Sequence, residues 1–394
     1  MIDVGSDGSD GVFAPGSNIT IDLNQAVVGN WNDPSLMPGK GIYDPNVWAV
    51  VFKYESVNIP AGVTVQFTNR TIGNPPVVWL VRTNATVAGT VSLNGQNGQS
   101  SNFAIGGPGG FAGAFSGGNG QDASSGFGPG GGTATAAVFQ GLSGGSYGMR
   151  GIPWTANSSS QPLPPYGNAT LMPLIGGSGG SSWMGGCCYN GGAGGGALLL
   201  AVGNTLSGSG LITANGGTAN GGGGSDGGVR IIANRIAGPT RLRANGGVGG
   251  SSGGGGTGGS GRIRIEANDI STATFDIQPF AITGPIGPIF PPANTPKVVI
   301  ASVEGAAAPS DPRSDLAIGD IATSPIGATV EVDVNAFHVP STWIVQVQIR
   351  RKFGPDMYVN AARISGNDAA SIYRASVAGF PLGISAIQVR AYAP

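Results

Sequence analysis

Three stretches of this chain share one layout, and that repetition constrains the fold more than any other feature. They read "LLLAVGNTLSGSGLITANGGTANGGGG" (198–224), "VRIIANRIAGPTRLRANGGVGG" (229–250) and "IRIEANDISTATFDIQPFAITG" (263–284). Asn204, Asn234 and Asn268 hold equivalent places, each followed two residues later by an apolar residue, Leu206, Ile236 or Ile270. In the first two copies a further Asn, Asn215 or Asn245, stands directly before Gly-Gly. An earlier copy, "VWLVRTNATVAGTVSLNGQNG", puts Asn84 and Asn94 in the same roles. Repeats about thirty residues apart are the mark of stacked supersecondary units, each burying its apolar face against the next. The reading is an all-β chain: a parallel β-helix-like solenoid with a glycine-rich insertion, then a C-terminal immunoglobulin-like β-sandwich.

Boundaries follow composition. Residues 1–95 read as an N-terminal cap and first solenoid coils, from runs such as "WAVVFKYESVNIP" and "GVTVQFTN" rich in Val, Ile, Phe and Thr. Residues 96–192 are the glycine-rich insertion and 193–280 the resumed repeats. The Pro-rich stretch 281–296 reads as an extended linker. Residues 297–394 alternate apolar and polar over several short runs, as a sandwich does, without a Cys-Trp-Cys pattern.

Glycine supplies 74 of 394 residues, far above the roughly 7% of ordinary chains. No G-X-Y period runs through it, so collagen is excluded. Strand-like runs punctuate the glycine, which argues against disorder. Runs such as "GGTANGGGGSDGG" lack side chains to hold backbones apart, and threefold polyglycine-like helices are one packing open to them.

Only 10% of residues are charged and the net charge is −1, which leaves no electrostatic footprint for nucleic acid. No apolar run approaches the roughly 20 residues of a membrane span, and "MIDVGSDGSDGVF" lacks a signal-peptide pattern. Cys187 and Cys188 are adjacent, and a strained vicinal disulfide and two thiols both remain open.

Chemistry is sparse. His338 is the single histidine, read as a turn or edge residue, so a histidine-based triad or zinc site has no supporting cast. Asp3, Asp7 and Asp10 fit no calcium-loop spacing. Asp33, Asp44 and Glu55 lie near Trp31, Tyr43 and Trp48 in sequence; the cluster reads as a cap over the first coil rather than a carboxylate pair for glycoside hydrolysis. The sequons at Asn18, Asn69, Asn84, Asn157 and Asn168 carry no secretory inference in so Asn-rich a chain. No catalytic residue, metal or cofactor is expected.

The stretches "ANGGTANGGGGSDGGVRIIANRIAG", "GTVSLNGQNG" and "YDPNVWAVVFKYESVNIPAGVTVQF" resemble glycine-rich β-helix repeat proteins of bacterial cell surfaces and tailed-phage virions. The resemblance covers roughly residues 1–280. A looser likeness, through the polyglycine tracts, is to glycine-rich phage tail-tip adhesins. It implies an extracellular, non-enzymatic surface role, and no catalytic residue carries over. The expected function is a structural or adhesive protein of a virion (fibre, decoration or receptor-binding component) or of a bacterial outer surface. Its expected partners are other virion or surface subunits and a host glycan or surface protein, with homo-oligomers, no nucleic acid and no membrane insertion. A polysaccharide-cleaving β-helix enzyme and an intracellular scaffold are the alternatives. Candidate ligand or interface contacts are Trp154, Tyr166, Trp183 and Tyr189, rings among small polar residues that suit recognition; the competing role is to anchor glycine-rich loops.

Overall fold

The computed structural model describes the chain except residues 37–38, 100–102, 117–122, 135–141, 156–159, 184–188, 251–254, 314–318, 324–327 and 353–355. Cys187 and Cys188, and the sequon at Asn157, lie outside the described residues. The protein is all-β, 42% strand and 1% helical, its described helix being the 3-10 turn Leu23–Gln25. Two compact units divide it: Met1–Arg70 with Asn74–Phe290, and Thr71–Gly73 with Pro291–Pro394.

In the first unit the chain makes successive circuits through three columns of parallel strands. One column stacks Ala49–Tyr54, Val77–Val81, 197–202, 228–233, 262–266 and Ala281–Gly284. A second stacks Val12–Phe13, Ser56–Ile59, Ala85–Val87, 205–207 and 235–237, with 269–272 beyond. The third stacks Ile19–Asp22, Thr64–Thr68, Thr90–Ser92, Leu211–Thr213, 241–243 and 276–278. One apolar core, including Phe52, Trp79, Leu200, Ile231 and Leu242, is shared by the columns. Burying each such side chain is worth roughly 1.5–3 kcal/mol.

The Asn positions form rungs. Asn204 Nδ2 donates to Asn84 Oδ1 at 3.0 Å and Asn268 Nδ2 to Asn234 Oδ1 at 3.1 Å. The Asn215 N–H donates to Asn94 Oδ1 at 2.8 Å, and the Asn245 N–H to Asn215 Oδ1 at 2.9 Å. Each amide thus serves backbone or side chain in the next circuit. Ile270 departs from its equivalents. An extra residue enters the pairing between Arg235 and Ala237, so that Ala237 faces Thr272. A bulge re-aims side chains: Leu206 and Ile236 are buried, Ile270 is 43% exposed, and Ala273 packs on the core instead.

Runs such as "VVWLV" and "ALLLAV" are apolar without alternation because their column is buried on both faces. The inner face holds Trp79 and Leu200. Against the outer face, with Val51, Leu80 and Leu199, pack Val4, Ile2, Trp31, Leu174, Ile286, Ile289 and Phe290. The stretch 281–296, read from sequence as a linker, is therefore structured in its first part. Ala281–Gly284 is a strand, and buried Arg230 pins the residues after it by donating to the carbonyls of Pro288 (2.8 Å) and Ile289 (3.2 Å). The prolines lack N–H donors, but the Pro288 carbonyl accepts from Arg230, and Ile286, Ile289 and Phe290 supply apolar contact.

The second unit is a seven-stranded antiparallel assembly. Lys297–Val303 pairs with Val330–Phe337, and that with Ala370–Val377. Met357–Gly366 is shared along its length: 362–366 pair with Ala370–Val377, and 357–361 with Ile344–Arg351, whose other neighbour is Ser385–Tyr392. Alternate residues, among them Val332, Val334, Val347 and Val377, form its core. His338 is exposed with φ 54°, its N–H donating to Ala369 O at 3.1 Å; it is a turn residue.

Candidate functional site

Three long loops leave the third column and return to the first: 93–196, 214–227 and 244–261. The tract 96–192 is not packed by itself, for all three loops join in one bundle of glycine segments. Its rule is legible in residues 189–197. The N–H groups of Gly191, Gly194 and Ala197 donate to Ala114, Phe111 and Pro108. Those of Gly192 and Gly195 donate to Gly222 and Ser225, and those of Ala193 and Gly196 to Gln96 and Leu93. Every third donor meets the same neighbour, which is a threefold helix like polyproline II but hydrogen-bonded sideways in several directions. The carbonyls of Gly192, Ala193, Gly194 and Gly195 accept from Gly180, Gly217, Gly107 and Gly177. Backbones approach so closely that a Cβ at Gly194 would meet the Gly177 carbonyl, and one at Gly224 the Ala193 carbonyl.

Serine enters this bundle where its hydroxyl can bond a backbone group. Ser181 Oγ accepts the Ser143 N–H (3.0 Å), Ser178 Oγ that of Gly130 (3.0 Å), and Ser225 Oγ that of Ser178 (2.7 Å). Asp226, fully buried, accepts from the N–H groups of Gly216 (2.7 Å) and Gly261 (3.2 Å). Burial pushes its carboxyl well above the usual carboxylate range despite those bonds.

The bundle has two ends. Near the columns the chain turns at 107–110 and 128–131; Asn74, just before Val77–Val81, donates from Nδ2 to the carbonyls of Gly107 (3.2 Å) and Gly110 (2.7 Å). At the far end Ser116, Ser124, Ser182, Asn190 and Ala219 are linked. Asn190 ties several together: its side chain accepts the Ser116 N–H (2.7 Å) and donates to Gln99 O, and its carbonyl accepts from Gly221. Ser116 Oγ donates to Trp183 O at 3.1 Å, Ser182 Oγ accepts the Ser124 N–H at 2.9 Å, and Ala219 bridges Gly249.

The four aromatic residues chosen from sequence divide between these ends. Trp183 and Tyr189 sit at the far end, rings edge to face at 4.6 Å and 89°, both half-buried, with the Trp183 N–H donating to Tyr189 O at 3.2 Å. Trp154, 51% exposed, donates its N–H to Leu142 O, next to Ser143, whose partner Ser181 precedes Trp183 by two residues. Tyr166 is elsewhere. Its hydroxyl donates to Gly176 O (2.6 Å) and accepts from Ser178 Oγ (3.0 Å), and its ring lies 4.9 Å from Tyr147. Burial pushes that hydroxyl well above the usual tyrosine range; Tyr166 is an anchor. Phe103 and Phe115, not chosen as contacts from sequence, have rings that meet at 5.0 Å and border the same far end; their place among Gly, Ser and Asn was the available signal.

The N-terminal cluster is also dispersed. Ile42–Asp44 adds to the outer edge of Ala49–Tyr54 in antiparallel sense, with Val27–Val28 beyond it, so the first column begins with a strand of opposite direction. Tyr43 there is buried in the main core, with Arg70 4.2 Å over its ring. Trp48, at φ 48°, packs on the same core. Trp31 lies instead against the outer face of the first column, 5.0 Å from Phe290.

The neighbouring acids are engaged locally. Asp33 bonds Ser35, Asp44 accepts the N–H groups of Trp31 and Asn46, and Glu55 pairs with Arg82. Asp7 pairs with buried Lys53 at 2.9 Å and Asp10 accepts the Lys53 N–H at 2.6 Å. Among the described residues no three His, Cys, Asp or Glu side chains gather as metal ligands. No family model matches the chain, and neither a curated protein nor a solved structure matches it.

Proposed function

We propose that this protein is a structural and adhesive component of a virion or bacterial outer surface, displaying the far end of its glycine bundle for recognition. The observation that carries this reading is topological: the glycine segments run out from the columns to a common end, where Trp154, Trp183 and Tyr189 stand among small polar residues. On this reading the three columns are a parallel β-helix-like solenoid, consistent with their in-register parallel stacking. The second unit is an immunoglobulin-like sandwich, in keeping with a strand that serves different neighbours along its length. The chain works without catalysis, as a homo-oligomer or beside other surface subunits.

Binding of labelled full-length protein to a panel of bacterial cells tests this. Trp154→Ala with Trp183→Ala is expected to abolish binding while the melting temperature stays near wild type. If melting instead falls by several degrees, as losing buried aromatics worth about 3–5 kcal/mol would cause, the rings are anchors and the site assignment fails. Release of new reducing ends from surface polysaccharide by the pure protein would replace this reading with the enzymatic one.

A further inference from the structure

We propose that the outer face of Met357–Gly366, Ile344–Arg351 and Ser385–Tyr392 binds a saccharide that carries a carboxylate. Strand register separates the two faces. Val345, Val347, Val359 and Val389 point to the core, so Gln346, Tyr358, Asn360, Arg390 and Tyr392 share the opposite face by the period of two. Pairing puts Gln346 between Asn360 and Arg390.

Their side chains are held in a row. Gln346 Nε2 donates to Asn360 Oδ1 at 2.8 Å, and Arg390 donates to Gln346 Oε1 from Nε (3.1 Å) and Nη2 (2.6 Å). The guanidinium carbon lies 5.1 Å from the Tyr392 ring centre and 5.9 Å from that of Tyr358. Tyr358 is 40% exposed, and its hydroxyl donates to Asp356 Oδ2 at 3.3 Å.

Most other arginines of this unit meet acids, Arg351 being the exception among the described residues. Arg374 meets Asp333 (2.7 Å) and Glu331 (2.9 Å), Arg363 meets Asp368 (2.7 Å), and Arg350 meets Asp356 (2.7 Å). Arg390 is joined to a neutral amide, and among the described residues no carboxylate lies within ion-pair distance of it. A guanidinium fork with an open side suits a carboxylate. A fixed row of amides beside it offers adjacent donors and acceptors to vicinal hydroxyls, and tyrosine rings give the apolar face of a pyranose a platform. A single uncompensated cation is too little for a nucleic-acid backbone.

Calorimetric titration of the full chain with galacturonic acid trimer, beside maltotriose as a neutral control, tests this. The trimer is expected to bind, at least tenfold more weakly to Arg390→Gln and unchanged to Arg363→Gln. If Arg390→Gln melts early, Asn360→Ala gives the same readout from an exposed position. Absence of trimer binding, equal binding by the folded Arg390→Gln or Asn360→Ala protein, or equal affinity for maltotriose would overturn the proposal. This site belongs to the second unit and the glycine bundle to the first, and the failure of either proposal leaves the other standing.

Discussion

The columns and the glycine bundle lie in one unit yet are held together in opposite ways. In the columns, side chains such as Trp79, Leu200 and Ile231 fill the interior, and strand pairing only sets their register. In the bundle almost nothing lies between one backbone and the next: a Cβ at Gly194 or Gly224 would overlap a neighbouring carbonyl. A strand offers hydrogen bonds to two sides, whereas a threefold helix offers them in several directions, so segment 189–197 bonds to neighbours from all of its surrounding stretches. Glycine is required there for space, not for flexibility.

Substitution can break that contrast. The largest effect is expected from Gly224→Ala, because a backbone carbonyl has no rotamer by which to yield. We expect loss of soluble folded protein, while Leu200→Ala costs about 2–5 kcal/mol and keeps the fold. If Gly224→Ala melted no lower than Leu200→Ala, the bundle would not be packed backbone on backbone.

Next comes Glu266→Ala. Glu266 receives Arg230 (3.1 and 3.0 Å), Arg264 (2.8 Å) and the Gly287 N–H (2.8 Å). Burial raises its carboxyl, but those bonds outweigh it and hold the group below the usual range. Removing the acid leaves Arg230 buried and unpaired, a loss of about 3–5 kcal/mol. Limited proteolysis should cut within 281–290 first, whereas an unchanged cleavage pattern would mean that the ion pair does not pin that segment.

A smaller effect sharpens the comparison through pH. Because burial raises the Asp226 carboxyl, its contribution to stability is complete below its ordinary value of about 4 and is lost as pH rises through the folded value. Melting temperature should therefore fall as pH rises above about 4, and Asp226→Asn should flatten the slope; an identical slope in that variant would exclude Asp226 as the cause. The smallest effect is expected at Gly16, where a Cβ meets nothing within 4 Å. Gly16→Ala should change stability by no more than about 0.5 kcal/mol, and a larger loss would show that glycine matters here beyond close approach.

Much of the column architecture was legible because its signals are local. Spacing from Asn204 to Asn234 to Asn268, and from Asn94 to Asn215 to Asn245, named the rungs, and unbroken apolar runs marked strands buried on both faces. Ile270 is apolar like its equivalents yet exposed, because one extra residue in the pairing re-aims it, and no pattern within the strand announces that. Trp183, Tyr189 and Tyr166 were chosen alike as rings among Gly, Ser, Asn and Pro, yet Tyr166 turns inward to Gly176 and Ser178.

By itself the sequence determined that the chain would be β-rich, where its circuits begin, and which side chains can fill a core, since a period of two and a repeated Asn are read from neighbours in the chain. Only the tertiary structure decided which glycine runs lie beside one another, that 286–290 covers the first column, and that Arg390 meets an amide while Arg374 meets acids. A glycine run carries no side-chain pattern to specify its partner, and an ion pair depends on strands far apart in sequence. Such choices are made only when the backbones have already come together.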